Sequence, residues 1–231
     1  MTSQIFILED HPVMRHGYRA LINAEMDLEV CGEAGTAADA LEKISRAAPD
    51  LVIADISLNG MNGIEFIKRL RAERPGLEVL VVSMHEESLY AGRALQAGAS
   101  GYLMKSEAES RVVPAIRKVL GGRYYVSDRI QEKIMLQFAG RMTAEESVGQ
   151  EDPSTQLSDR ELEAFELHGR GLSTREMAEA MDISPKTIAT YRGRIKSKLG
   201  IESTPELVRR AVLWVENNNT AAAGEERPRE G

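Results

Sequence analysis

A single cysteine, Cys31, stands in a chain of 231 residues. One thiol cannot close an intramolecular disulfide, so a small secreted fold stapled by bridges is excluded. Its apolar setting, LEVCGEA, assigns Cys31 to a core as a small apolar residue. Long apolar runs are also missing, and nothing approaches the roughly 18 consecutive residues of a membrane span. The N-terminus shows no basic leader followed by an apolar segment, so a soluble, cytoplasmic protein with no membrane partner is expected. There is no excess of positive charge either, the formal net charge being −7. That argues against a protein that coats nucleic acid by bulk charge, while leaving room for a local basic patch. What is present is ordinary globular composition, 42% hydrophobic and 28% charged, over a length that accommodates one large domain or two modest ones.

The first half repeats one rhythm: a short β-rich apolar run, a turn, then an apolar stripe at helical spacing. This predicts βα units around a parallel sheet. Strands are expected at 4–8, 28–32, 51–54, 78–82 and 101–104, with helices near 12–23, 37–46, 63–73, 87–97 and 110–120. Pro114 is awkward inside a helix and is expected in a first turn, where its missing N–H costs little. Beyond Gly121-Gly122 the rhythm stops. Ser127 offers a cap for a helix to about residue 139, and residues 140–155 are polar and aperiodic, as a linker would be. From Leu157 the pattern is all-helical, with start signals at Ser158, at Ser173, at Ser184 before Pro185, and at Thr204 before Pro205. The expected division is a domain over 1–122, a linker with a short helix over 123–155, a four-helix domain over 156–216 and a disordered tail over 217–231.

In a parallel sheet, ligands gather outside the carboxyl ends of the strands. The polar residues at those ends are Glu9 and Asp10, Asp55, Ser83 and Lys105. Like charges about 4 Å apart repel by roughly 4 kcal/mol at an effective dielectric near 20, so three carboxylates in one pocket either take up protons or hold a cation. An all-oxygen donor set favours Mg²⁺. The stretches ILEDHPVMRHG, PDLVIADISLNGMNGIEFI, VLVVSMH and LQAGASGYLMK resemble the receiver domain of bacterial two-component response regulators. The resemblance implies a five-stranded, parallel, doubly wound (flavodoxin-like) α/β domain. It implies that Asp55 accepts a phosphoryl group from a sensor histidine kinase, and that Mg²⁺ is held by Glu9, Asp10, Asp55 and the backbone carbonyl of Ser57. It implies further that Lys105 pairs with phosphoryl oxygens, that Ser83 reaches for the phosphoryl group and that Tyr102 moves as a switch. Asn59 stands where the family often has proline, and Asn62 where it often has aspartate.

Against the acidic whole, SPKTIATYRGRIKSKLG carries five cations and no acid. On a helix from Pro185, Ile188, Ile195 and Leu199 share an inward stripe, while Lys186, Thr187, Ala189, Thr190, Gly193, Arg194 and Lys198 face outward or flank it. Such a helix suits the major groove of DNA. The stretch LSDRELEAFELHGRGLSTREMAEAMDISPKTIATYRGRIKSKLGI resembles the LuxR-type helix-turn-helix of NarL/FixJ-type regulators, an all-α domain. This implies a scaffold helix at 173–181 and a recognition helix at 185–199 that binds promoter DNA, with Arg192 also on the DNA side. Its base-reading positions fall on the small residues Ala189, Thr190 and Gly193, which shifts weight to phosphate contacts and DNA shape. Tyr191 reaches a phosphate or packs in the core. The last helix offers Leu207, Val208, Ala211 and Val212, by resemblance a dimerisation face of a homodimer formed on phosphorylation. The expected function is therefore a phosphorylation-regulated DNA-binding transcriptional regulator and not an enzyme. Its rivals are a regulator that binds DNA regardless of phosphorylation, and a phosphatase using Asp55 as nucleophile. The phosphatase lacks the second acid such enzymes place two residues on, where Ser57 stands.

Overall fold

A computed structural model describes residues 2–58, 61–138 and 153–223. The chain divides into two compact units, one within Met1–Thr143 and the other within Ala144–Gly231. Among the described residues no helix is long and apolar enough to cross a membrane.

The first unit alternates β1 (Ser3–Leu8), α1 (Pro12–Asn23), β2 (Leu28–Ala34), α2 (Ala37–Ala47), β3 (Leu51–Ala54), α3 (Gly63–Glu73), β4 (Glu78–Ser83), α4 (Glu87–Ala97), β5 (Gly101–Met104) and α5 (Ala108–Leu120), followed by α6 (Asp128–Phe138). The strands form one parallel sheet in the order β2-β1-β3-β4-β5. Ile5 to Leu8 and Leu51 to Ala54 are buried on both faces, as central strands of a doubly covered sheet require. Ile5, Ile7, Leu51, Ile53, Leu80 and Val82 pack with Tyr18 and Ile22 of α1 and Val112, Ile116 and Val119 of α5. The alternate residues Phe6, Val52, Val79 and Val81 supply the opposite face, where α2, α3 and α4 follow one another. The chain leaves β1 in one direction for β2 and in the other for β3, so the crevice at the carboxyl ends of β1 and β3 is the switch point of the sheet.

Two local expectations change, and one contact is added to the sheet. Cys31 is half-buried rather than a core residue: it is the extra residue where the β1–β2 register slips, and its thiol reaches the carbonyl of Ile5 at 3.4 Å. Pro114 lies inside α5, because a single 3₁₀ turn at Lys105–Glu107 runs into the helix and starts it at Ala108. After α5, Tyr125 bridges to Gly101 and extends the sheet edge, its carbonyl accepting from Tyr102 N–H at 2.7 Å. Ser127 then caps α6, as expected, with its Oγ accepting from Ile130 N–H at 3.4 Å.

The second unit holds α7 (Pro153–Gln156), α8 (Asp159–Gly169), α9 (Thr174–Ala180), α10 (Pro185–Lys198) and α11 (Thr204–Ala223). Its core gathers Leu162, Phe165, Met177, Met181, Ile188, Ile195, Leu199 and Leu207. The short α7 occupies the end of the expected linker: Pro153 is buried and Leu157 N–H donates to its carbonyl at 3.0 Å. The rest of the linker, 139–152, lies outside the described residues. Ser173 and Glu176 form a reciprocal capping box on α9, and Ser184 Oγ accepts from Thr187 N–H at 3.1 Å to start α10. Asp182, at φ 49°, turns the chain between them. Two ends of α11 differ from expectation. Its cap is Ser203, whose Oγ accepts from Glu206 N–H at 3.3 Å, so Thr204 is already helical. The helix then continues through Asn217 to Ala223 in place of a structureless tail, because no glycine or proline interrupts it before Gly224.

Candidate functional site

Four strand ends build a pocket in the first unit. Glu9 follows β1, Asp55 follows β3, Ser83 ends β4 and Lys105 follows β5, and all four are buried. Lys105 Nζ donates to Glu9 Oε1 at 2.9 Å and to Asp55 Oδ2 at 2.8 Å. The ammonium therefore sits between two carboxylates that would otherwise repel. Burial pushes the Glu9 carboxyl above its ordinary range, and the neighbouring Asp55 charge adds to that against the opposing bond from Lys105. Burial draws the Lys105 ammonium down, but Asp55 and Glu9 together outweigh it and hold the ammonium above its usual value. Asp10 lies half-buried at the mouth, with His11 Nδ1 at 2.7 Å from its Oδ1 and 3.3 Å from Glu9 Oε1. Glu9, Asp10 and His11 are the close group, their ligand atoms within 4.8 Å of one another, while Asp55 joins through Lys105. His11 was not singled out in the sequence.

The loop after β3 is fixed by backbone contacts. Asp55 Oδ1 accepts from Ser57 N–H at 3.2 Å, Ile56 carbonyl accepts from Gly63 N–H at 2.9 Å, and Asn62 caps α3 through Ile64 N–H at 2.8 Å. A Cβ on Gly63 would stand 2.1 Å from the Asp55 carbonyl, so only glycine allows this approach. Asn59 lies outside the described residues.

Ser83 and Tyr102 meet at a residue that sequence reasoning missed, His85. Its N–H donates to Ser83 Oγ at 3.3 Å, its carbonyl accepts from the buried Tyr102 hydroxyl at 2.8 Å, and its Nε2 lies 2.9 Å from Ser57 Oγ. Its ring stacks on Tyr90 of α4 at 4.3 Å. His85 thus ties the loop carrying Asp55 to β4, β5 and α4. The only sequence signal was an isolated histidine two residues beyond a strand end.

In the second unit, α10 exposes Lys186, Ala189, Thr190, Gly193 and Arg194, with Thr187 and Tyr191 half-buried at the flanks. Two expected DNA contacts are engaged elsewhere. Lys198 donates to Glu161 Oε2 at 2.6 Å; burial acts to raise the Glu161 carboxyl, and Lys198 and Ser158 overcome it and hold the carboxyl low. Arg192 falls on the inward stripe and donates to Thr174 Oγ1 at 3.0 Å. On α11, Leu207 and Ala211 are fully buried in their own unit, so they are not open to a second copy; Val208 and Val212 are half-buried and Leu213 is exposed.

Residues 5–117 match the response regulator receiver domain, and residues 155–211 match the bacterial regulatory proteins of the luxR family. The chain is 32% identical over 209 residues to the response regulator UvrY of Escherichia coli (strain K12), covering 90% of this chain and 93% of UvrY. It is 30% identical over 210 residues to the oxygen regulatory protein NreC of Staphylococcus epidermidis, covering 90% and 96%. The chain belongs to the NarL/FixJ-type response regulators. As a response regulator it is a DNA-binding transcriptional regulator of a two-component system, with a receiver domain and a LuxR-type helix-turn-helix. A LuxR-family response regulator from Aurantimonas sp. SI85-9A1 has a similar structure, at 35% identity and a TM-score of 0.55 over 60% of this response regulator and 99% of the other. RcsB of Salmonella enterica serovar Typhimurium, in a structure bound to promoter rprA in the presence of the phosphomimetic BeF3−, shares the fold at 22% identity, with a TM-score of 0.60 over 94% and 99% of the two chains.

Proposed function

We propose that this response regulator is switched by phosphorylation of Asp55, with domain limits at 1–122 and 156–216 and a cytoplasmic location. The observation that carries this is the buried Lys105 ammonium bonded to both Glu9 and Asp55 at the switch point of the sheet. A carboxylate oxygen of Asp55 attacks the phosphorus of a phosphohistidine on a sensor kinase: the P–O bond forms, the P–N bond breaks and the imidazole leaves with the electron pair. Lys105, already within bonding distance of Asp55, turns to the new phosphoryl oxygens and leaves Glu9 to the metal. The donor set fits Mg²⁺: the carboxylates of Glu9, Asp10 and Asp55 with the carbonyl of Ser57 are all hard oxygens, and burial leaves Glu9 short of compensating charge. Magnesium, when bound, supplies the divalent charge that offsets these carboxylates and neutralises charge on the transferring group. Ser83 reaches for the phosphoryl group by releasing the backbone bond from His85, and Tyr102 transmits that change because its hydroxyl rests on the carbonyl of the same residue.

The outward face of α10 binds promoter DNA. Lys186 and Arg194 reach phosphates, and Ala189, Thr190 and Gly193 bring the helix backbone close to the groove floor. Thr187 and Tyr191 flank that face. Phosphorylation favours a homodimer, for which α11 offers Val208, Val212 and Leu213. No turnover is assigned to the protein, since Ser57 stands where an aspartate-nucleophile phosphatase needs its second acid. The test is binding to its own promoter DNA with and without Mg²⁺ and acetyl phosphate, for the wild type and Asp55→Asn. The donor is expected to strengthen binding by the wild type alone; an identical response from both proteins refutes the switch.

A further inference from the structure

Arg192 belongs to the recognition helix, yet its position on that helix is not that of a DNA contact. Ile188, Arg192, Ile195 and Leu199 are spaced four, three and four residues apart, which at about 100° per residue gathers them on one face. Ile188, Ile195 and Leu199 are buried, so Arg192 holds the polar position of the inward stripe. Lys186, Thr190, Gly193 and Arg194 lie on the opposite side and are exposed.

Three features define what Arg192 does there. One guanidinium Nη donates to Thr174 Oγ1 at 3.0 Å, across to the first residue of the scaffold helix α9. Its Nε is buried and has no partner among the described residues, although a buried guanidinium N–H left unmade is costly. His168, on α8, is buried, its Nε2 has no partner among the described residues, and the Arg192 charge helps to lower its pKa. Since α9 packs directly against α10, a planar guanidinium with several donors is suited to hold the two at a fixed angle.

We propose that Arg192 is a positioning residue that sets the recognition helix on α9 through Thr174, and does not touch DNA. This rests on the DNA-binding reading of α10. A residue that neutralises a phosphate contributes about one unit to the dependence of log affinity on log salt, and a strut contributes none.

The test uses the full chain and a mixed-sequence double-stranded DNA, with affinity followed by fluorescence anisotropy across a salt series. Arg194→Ala is the reference for a phosphate contact and is expected to lower the slope by about one. Arg192→Met is expected to weaken binding about tenfold at any one salt concentration, with the slope of the wild type retained. Thr174→Val removes the acceptor while keeping Arg192, and is expected to weaken binding with an unchanged slope. The double variant should lose no more than the weaker of the two singles, since both break one contact. A reduced slope for Arg192→Met, unchanged affinity in both single variants, or strictly additive losses would each overturn the proposal. Hydrogen exchange across residues 185–198, measured on the same proteins without DNA, judges the strut separately: faster exchange in Thr174→Val supports it and wild-type protection overturns it. Should the wild type itself fail to bind DNA, the DNA-binding reading falls while the exchange result still decides the role of Arg192.

Discussion

His168 is a histidine that the fold keeps neutral. Burial, and after it the Arg192 charge, push its pKa down from 6.5 to about 4. In that interval the unfolded chain binds a proton that the native state refuses, so the stabilisation is complete above pH 6.5 and is lost as pH falls towards 4. The interval corresponds to about 3 kcal/mol. Urea unfolding of the C-terminal unit followed across this range should show the wild type weakening with acid and His168→Leu holding its midpoint; a parallel decline in both would place the titration elsewhere. Other single residues were legible to very different degrees. Glu9, Asp55 and Lys105 could be placed together from sequence because a parallel sheet sends all its strand ends to one edge, and they are found bonded there. His85 could not, since its role arises from a carbonyl and a ring nitrogen that no periodicity marks. The bond from Arg192 to Thr174 was legible only in its spacing from Ile188 and Ile195, since its charge suggested the solvent side.

Between helices the informative position is Gly169, near the end of α8. A Cβ there would lie 2.5 Å from the Ala211 carbonyl and 2.6 Å from Val215 Cγ2, so α8 and α11 touch nearly backbone to backbone. Phe165 and Trp214 close the same contact edge to face at 5.6 Å. Gly169→Ala in an exposed helix would gain about 1 kcal/mol from propensity. Here the overlap is with backbone, and a net loss of about 1–3 kcal/mol is expected, read as a lower thermal midpoint. A rise in midpoint would mean that the helices separate freely. The same contact explains why the apolar side of α11 was over-assigned to a partner: Leu207 and Ala211 look surplus on a helical wheel, and only the neighbour that lacks a side chain shows where they go. The starts of α6, α9 and α10 were legible from the serine before each turn, because the capping oxygen is a local device, whereas at α11 the cap is Ser203 in place of Thr204. Helix ends were less so. The course of α11 past Asn217 depends on the absence of a breaker, which is a weaker signal than the presence of one.

Each compact unit has its own core, so the two are expected to unfold as separate transitions with separate sensitivities. The carboxylates that gather around Lys105 all belong to the first unit, and His168 belongs to the second. Ionised Glu9 is held in a buried site against its own desolvation, with Asp55 adding repulsion, and this cost grows as pH rises through its raised pKa. A divalent cation that binds the native pocket and not the unfolded chain removes part of that cost. It stabilises the first unit by about 1.4 kcal/mol at ten times its dissociation constant. Calorimetry of the full chain near neutral pH should therefore show Mg²⁺ raising one midpoint and leaving the other in place. Asp10→Asn should blunt that shift by removing a donor exposed enough to lose its charge without disturbing the core. His168→Leu should leave the Mg²⁺ response unchanged while altering only the acid sensitivity of the other transition. If Mg²⁺ raises both midpoints equally in the wild type, the units unfold as one and the assignment of the ion to the strand-end pocket loses its thermodynamic support.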